Sequence, residues 1–427
     1  MLLRSELFEI IKEGQMELLL CGGSVGHMSH IFDETDLTFS DFEEIIRRAL
    51  VGRLNVEESV TEKLDGQQLS ISWKDGKLVA ARNKGQIKNW GENSLDVAGV
   101  KKMFANRGEL TKAFGSAMDD LNKAIGKLSK DQKEKIFANG KNWMNLEIMY
   151  VPTTNTIPYD VNALVFHGAL KYSEGGVITG TVEGSARMLA GMIKQVNQHL
   201  QKTFTIQGPQ IVKVPKDEDF ENQQREFITQ LNALRDNYSL SNNDKVVKYH
   251  EAWWGEKIDD TFNKAGIAIP TGMKQHLINR FVRGDKSYKI SKSNIGNDEV
   301  YAVVSKMATE DFQKLFKQNI KPFEKIFFNL AARVLKNVQN YISPSPEASV
   351  QKLKKDIGKT LASFRGATDL KQINKVKTHL DKIKSMGGFD AIVPSEGIVF
   401  KYKGKTLKMT GSFAPINQIL GIIKYGN

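Results

Sequence analysis

The chain has 427 residues, 40% hydrophobic and 26% charged, which is enough for a buried core spread over two or three domains. A net charge of +12 favours a polyanionic partner, nucleic acid before an anionic membrane, and equally suits a lysine-rich solvated surface. The single cysteine, Cys21, excludes a disulfide framework and a cysteine-based zinc site and fits a reducing, cytoplasmic setting.

The first twenty residues interrupt their apolar positions with Glu and Lys, unlike a signal peptide. No apolar run reaches the roughly 18 residues of a membrane span, so a soluble protein with no membrane partner is expected. Residues 1–54 read as a helical preface. FEEIIRRAL (42–50) has helical periodicity, and Ser40 with Glu43 has capping-box spacing. The stretch CGGSVGHMSH (21–30) reads first as an ordinary Gly-rich loop and second as backbone that approaches phosphate. His27 and His30 have no third ligand close by, so they are read as structural or ligand-contacting.

Residues 55–90 read as strands. LSISW (69–73) and KLVAA (77–81) flank a turn at Lys74-Asp75-Gly76. Lys63 then stands at one strand end and Arg82 at another. Helices are expected within 95–139, and strands over 142–151 and 163–172. From about 182 to 388 the pattern is mostly helical. Its segments are 183–202, 219–236, 244–264, 271–283, 297–318, 321–342, 347–364 and 369–386. Residues 301–390 carry 17 Lys/Arg against 8 Asp/Glu, most of the basic excess. The interleaved Phe312, Phe316, Phe323, Phe327 and Phe328 read as helix core rather than a base-stacking platform. Strand character returns over 391–413, with a turn at Gly404.

The strand segments bear a constellation. KLDG (63–66), NLEIMY (145–150), LVFHG (164–168), EGIVFK (396–401) and KTLKM (405–409) follow in order. A lysine amine is a nucleophile only when neutral, and its reference pKa of about 10.4 keeps it charged in water. Desolvation or neighbouring cations lower that pKa and allow attack on phosphorus. These motifs resemble those of the covalent nucleotidyltransferases: ATP-dependent RNA and DNA ligases and capping enzymes.

The resemblance implies an α+β fold: an antiparallel-sheet ligase adenylylation domain with a large, mostly helical insertion. The catalytic domain would be discontinuous, 55–180 plus 391–427, with a basic helical insertion over 181–390. Lys63 would be the nucleophile. Lys408, then Lys405, would be the final lysine that offsets charge at the α-phosphate. Asp65, Gly66, Arg82, Glu147, Phe166 and Lys401 would bind nucleotide, with Glu147 on the ribose and Phe166 stacked on the base. Glu396 would hold Mg²⁺ or Mn²⁺. ATP is expected ahead of GTP, and nucleic acid as partner, RNA ahead of DNA, in the cytoplasm (the host's, if the chain is viral).

The chain departs from the family pattern in places. Gln68 stands where DNA ligases often carry Arg, and His167 where many relatives carry Asp. The lysines of KTLK are three apart rather than two. Residues 169–395 separate two motifs that ligases usually keep closer. Residues 409–427 are too few for the OB-fold of DNA ligases and capping enzymes, so viral and phage-type RNA ligases are the nearer likeness. The alternatives are an ATP-dependent DNA ligase, a non-catalytic nucleic-acid-binding or virion-associated protein with a ligase-like fold, and a nucleotidyltransferase acting on a protein or small molecule.

Overall fold

Alternation of side chains along 67–74 dictates a strand with two different faces. Leu69 and Ile71 enter a helix-covered core, while Ser70 and Ser72 point to the other side. The computed structural model describes residues 28–153, 159–196, 203–342 and 396–411, and the single positions 355, 377 and 381. Its strands are β1 (Ser29–His30), β2 (Thr61–Lys63), β3 (Gln67–Lys74), β4 (Lys77–Ala81), β5 (Asn142–Met149), β6 (Ala163–Tyr172), β7 (Ile178–Val182), β8 (Thr205–Gln207), β9 (Gly397–Tyr402) and β10 (Lys405–Thr410). They form two sheets. The larger has the order β4-β3-β5-β6-β7, all antiparallel, with β8 parallel to β6. The smaller has the order β1-β10-β9-β2, antiparallel except for β1 along β10.

Two hairpins turn on the expected residues. Asp75 and Gly76 have φ of 48° and 79°, and Lys403 and Gly404 have φ of 49° and 74°. Two consecutive positive φ values match the twist of strands joined by a two-residue loop. In the second turn Glu57 accepts from both Lys403 N and Gly404 N, at 2.6 and 2.9 Å.

The main helices are α1 (Phe39–Leu50), α2 (Val97–Met103), α3 (Glu109–Gly126), α4 (Lys130–Phe137), α5 (Ser185–Val196), α6 (Phe220–Asp236), α7 (Val246–Ala265), α8 (Met273–Arg283), α9 (Asp298–Thr309) and α10 (Phe312–Asn337), with shorter helical segments at Lys84–Gly91 and Lys292–Ile295. None is long and apolar enough to cross a membrane. The cap of α1 is Thr38 with Asp41, not Ser40 with Glu43. Thr38 Oγ1 accepts from Asp41 N at 3.1 Å, and Asp41 Oδ2 accepts from Thr38 N at 3.0 Å. The expected break near 319–320 is also misplaced. The chain breaks at Glu310 and Asp311, and α10 runs through Pro322. An interior proline costs about 3 kcal/mol. Burial of Phe312, Phe323, Phe327 and Leu330 along one continuous stripe outweighs it. Apart from the single positions 355, 377 and 381, the segments 347–364 and 369–386 lie outside the described residues, as does the Gly-rich stretch through His27.

Packing divides the chain differently from the motif order. One core lies under the larger sheet, where Leu69, Leu146, Leu164 and Phe166 meet Phe114, Met118 and Leu121 of α3 and Leu189 of α5. The sheet unit therefore extends past residue 181 to include α5 and β8. The second core joins α1, α6 to α10 and the smaller sheet, through Ile45, Leu231, Trp254, Leu330, Phe400 and Leu407 among others. The N-terminal preface and the helical insertion are thus one body, and the strand that carries Lys63 belongs to it. Phe42 of α1 meets Phe327 and Phe323 of α10 edge-to-face, at 5.0 and 6.1 Å.

Phe42 is fully buried at that junction. Phe42→Ala is expected to lower stability by about 3–5 kcal/mol in urea denaturation, the usual range for a buried phenylalanine. A cost under about 1 kcal/mol would mean that α1 is an independent preface after all.

Candidate functional site

Lys63 reaches its position by exclusion. Its neighbour Glu62, 2% exposed, pairs with Ile398 and shares that residue's core-facing side of the ladder, and its Oε2 accepts from Ile342 N at 2.6 Å. Lys63 must then leave β2 on the opposite face. The loop that follows is pinned at each residue. Leu64 is buried with Met149, Tyr159, Ala163 and Val165. Asp65 N donates to the Tyr159 hydroxyl at 2.9 Å, and Gly66 N donates to Glu147 Oε2 at 2.6 Å. A Cβ on residue 66 would crowd this contact, lying 2.6 Å from Met149 Sδ, 2.7 Å from Glu147 Oε2 and 3.0 Å from the Ile148 carbonyl oxygen.

The smaller sheet supplies the other half. Ile398, Phe400, Leu407 and Met409 fill the helical core, so Val399, Lys401, Thr406 and Lys408 take the Lys63 face. Gly397 pairs with Lys63 and passes so close to β10 that a Cβ would meet Met409 O at 2.2 Å. Just before it, Glu396 forms an ion pair with Lys63 Nζ, both side chains about one-fifth exposed. The larger sheet closes the cleft with the face opposite its main helical core, a face on which Ile87 of the helix Lys84–Gly91 also packs, against Val79, Ala81 and Trp143. Gln68 pairs with Glu147 and Ser70 with Asn145, and His167 occupies a bulge between the Asn145/Gly168 and Leu146/Phe166 pairs.

Charge in this cleft is closely balanced. Burial raises the Glu147 carboxyl to about 8; Lys63 pulls the other way, and Glu396 and Asp65 add to the rise. Burial lowers Lys408, and Lys63 lowers it further, against Asp33 and Glu396. Burial lowers His167 to about 4, with Lys63 second. The imidazole is open to solvent along the cleft yet has dense protein around it. A cleft wall satisfies both descriptions.

The residues singled out in the sequence separate into two groups. Lys63, Asp65, Gly66, Glu147, Glu396 and Lys408 come together. Arg82, Phe166 and Lys405 do not, and Lys401 stands apart. Arg82 leaves β4 on the helix-covered side, its guanidinium over the Phe104 and Phe114 rings at 5.6 and 5.2 Å. Phe166 is fully buried in the core beneath the sheet, so it has no face for a base. Lys405 points away from Lys63 and pairs with Glu34 and Asp36, at 2.7 and 3.2 Å. Lys401 shares the Lys63 face but sits near the far end of β9, paired with Glu58 at 2.7 Å. Two contributors were missed. His167 was legible, because Leu164 and Phe166 alternate as a core pair and leave 165 and 167 to the other face. Tyr159, 94 positions from Asp65, left no local signal.

Two ammonium groups, a carboxylate beside Lys63 and a close-approach glycine suit a bound phosphate ester. Among the described residues no three His, Cys, Asp or Glu side chains converge on a metal position. A Mg²⁺ ion here would be held by Glu396 together with phosphate and water oxygens, its usual manner in nucleotide sites. Comparison with protein-family models, with curated proteins and with solved structures finds no match.

The Glu147 shift has a sign that can be tested. Its folded pKa lies above its unfolded value, so the stability contribution is full below about 4.5 and is lost as pH rises through about 8. His167 and His250, both lowered to about 4 by burial, act oppositely and cost stability as pH falls below about 6.5. The difference between wild type and Glu147→Gln isolates the carboxyl. The variant should gain on wild type by about 2 kcal/mol between pH 5 and 9 in urea denaturation. Parallel profiles across that range would refute the assignment.

Proposed function

We propose that this protein is an ATP-dependent polynucleotide ligase, with RNA ahead of DNA as substrate, working through a covalent Lys63–AMP intermediate. The observation that carries the reading is the convergence of Lys63, Glu147, Glu396 and Lys408, from distant parts of the chain, on one cleft. A chain that served only as a binding scaffold would have no need to gather a nucleophile, a second lysine and a carboxylate at that point.

In the first step the neutral Lys63 amine attacks the α-phosphorus of ATP. A P–N bond forms, the bond to the bridging oxygen breaks, and pyrophosphate leaves. In the second, an oxygen of a strand's 5′-phosphate attacks the same phosphorus and displaces Lys63. In the third, a 3′-hydroxyl attacks the activated 5′-phosphorus, a phosphodiester forms and AMP leaves. Lys408, held on the same face as Lys63, stabilises charge that develops on the α-phosphate oxygens. Glu147 contacts the ribose hydroxyls, and His167, at the β6 bulge within the field of Lys63, is the side chain left to contact the base. The ion pair of Lys63 with Glu396 must open before attack. Mg²⁺ or Mn²⁺ bound at Glu396 would engage that carboxylate and offset phosphate charge.

Intact mass after incubation with ATP and Mg²⁺ tests the reading. Wild type should gain one AMP and Lys63→Ala none. Lys408→Ala should slow adduct formation by about 100-fold, the usual cost of one electrostatic stabiliser. Lys405→Ala should stay within a few-fold of wild type, because its partners are Glu34 and Asp36. A folded wild-type protein that forms no adduct with ATP or GTP would overturn the proposal.

A further inference from the structure

The long helix α10 carries a feature that the nucleotide site does not use. Lys314, Lys317, Lys321 and Lys325 are all exposed. At 100° per residue they fall within an arc of about 80°. Phe328 falls inside the same arc, and no acidic residue does. Glu324, half-buried, stands on its flank. An ordinary solvated helix face pairs its charges, as α1 does through Glu43 with Arg47 and Glu44 with Arg48, each four apart. This arc of α10 instead leaves like charges stacked at spacings of three and four, an arrangement that destabilises a helix when nothing answers it.

The end of the stripe is tied to the cleft. Phe328 meets the His30 ring edge-to-face at 5.7 Å. His30 in turn pairs with Lys408 across β1 and β10. The stripe therefore starts beside the strand that bears Lys408 and runs outward along the helical body. From Lys314 to Lys325 it covers about 16 Å at 1.5 Å per residue. That is the length of about five phosphates in a stacked strand at 3.4 Å each.

We infer that the lysine face of α10, Lys314, Lys317, Lys321 and Lys325, is a docking surface for the sugar–phosphate backbone of a single nucleic-acid strand whose end lies at the Lys63 cleft. This deepens the proposed ligase reading and rests on it for the strand end. The backbone contact itself rests on charge, exposure and placement. Lysine ammonium groups contact phosphate without reading bases, so the surface holds any sequence.

The test uses the full chain and a fluorescein-labelled 20-nucleotide single-stranded RNA, with DNA of the same sequence, in anisotropy titrations over a range of salt. The four lysines are changed together to Gln. A charge-matched control changes Lys123, Lys127, Lys130 and Lys135, exposed on and beside α3 and α4. The α10 variant should bind about 10-fold or more weakly, and its slope of log K against log salt should fall by about 0.7 for each lysine that meets a phosphate. The control should lose no more than about 2-fold. Neither variant should lose thermal midpoint, since the side chains are exposed and the α10 changes remove like-charge repulsion. Equal losses in the two variants, an unchanged α10 variant, or a wild type that binds no oligonucleotide would each overturn the inference. AMP-adduct formation is measured alongside. If wild type binds through α10 yet forms no adduct, the docking surface stands and the ligase reading fails.

Discussion

The register of the ladder β2-β9-β10 is the constraint on which the site depends. Side chains in a strand alternate between faces, so a slip of one residue exchanges the two sets. In the observed register Ile398, Phe400, Leu407 and Met409 are buried among the helices. Lys63, Val399 and Lys408 are thereby sent to the cleft. Each buried side chain of this kind contributes about 1.5–3 kcal/mol, so the apolar set holds the register firmly and the lysines follow. Gly397 adds a second lock, because only a residue without Cβ lets β9 and β10 approach as they do beside Lys63.

The loop that follows Lys63 is held to both bodies of the protein. Lys63 belongs to the smaller sheet, while the next three residues are fastened by Leu64, the Tyr159 hydroxyl and Glu147 to the larger one. Glu147 fixes the loop backbone through Gly66 N and also stands in the electrostatic field of Lys63. A carboxyl in that position is raised by burial, and its proton limits the negative charge in a cleft that already contains Glu396. The geometry and the charge state of the site are therefore set by the same contacts.

The helical body is part of the site's foundation rather than an appendage. Its core includes the inward face of the smaller sheet, where Ile398, the ladder partner of Glu62, is buried. Asp217, nearly buried, receives a two-pronged contact from Arg333 of α10 at 2.6 and 2.9 Å, and its own N donates to Leu50 O at the end of α1. Ligand contacts on α10 would thus act on a body that shares its packing with the strands of Lys63 and Lys408.

Much of this was legible in the residues. Alternation located β3 to β6, β9 and β10, and Asp75-Gly76 and Gly404 marked hairpins, because a positive φ has few sequence solutions. Apolar periodicity located α6 to α8 within a few residues. The motifs also named six residues that the fold gathers. What they could not supply was direction. Arg82, Phe166 and Lys405 belong to the same segments as the gathered residues, but each leaves its strand on the other face. The face taken by a side chain depends on which surface is buried, and that is fixed by the partner that covers it. The union of α1 with α10 in one core, the clamp of Tyr159 on Asp65, and the choice of Lys408 over Lys405 rest on contacts between residues tens to hundreds of positions apart. Local pattern encodes period and turn; only long-range packing, through burial of one face of each strand, decides which residues meet.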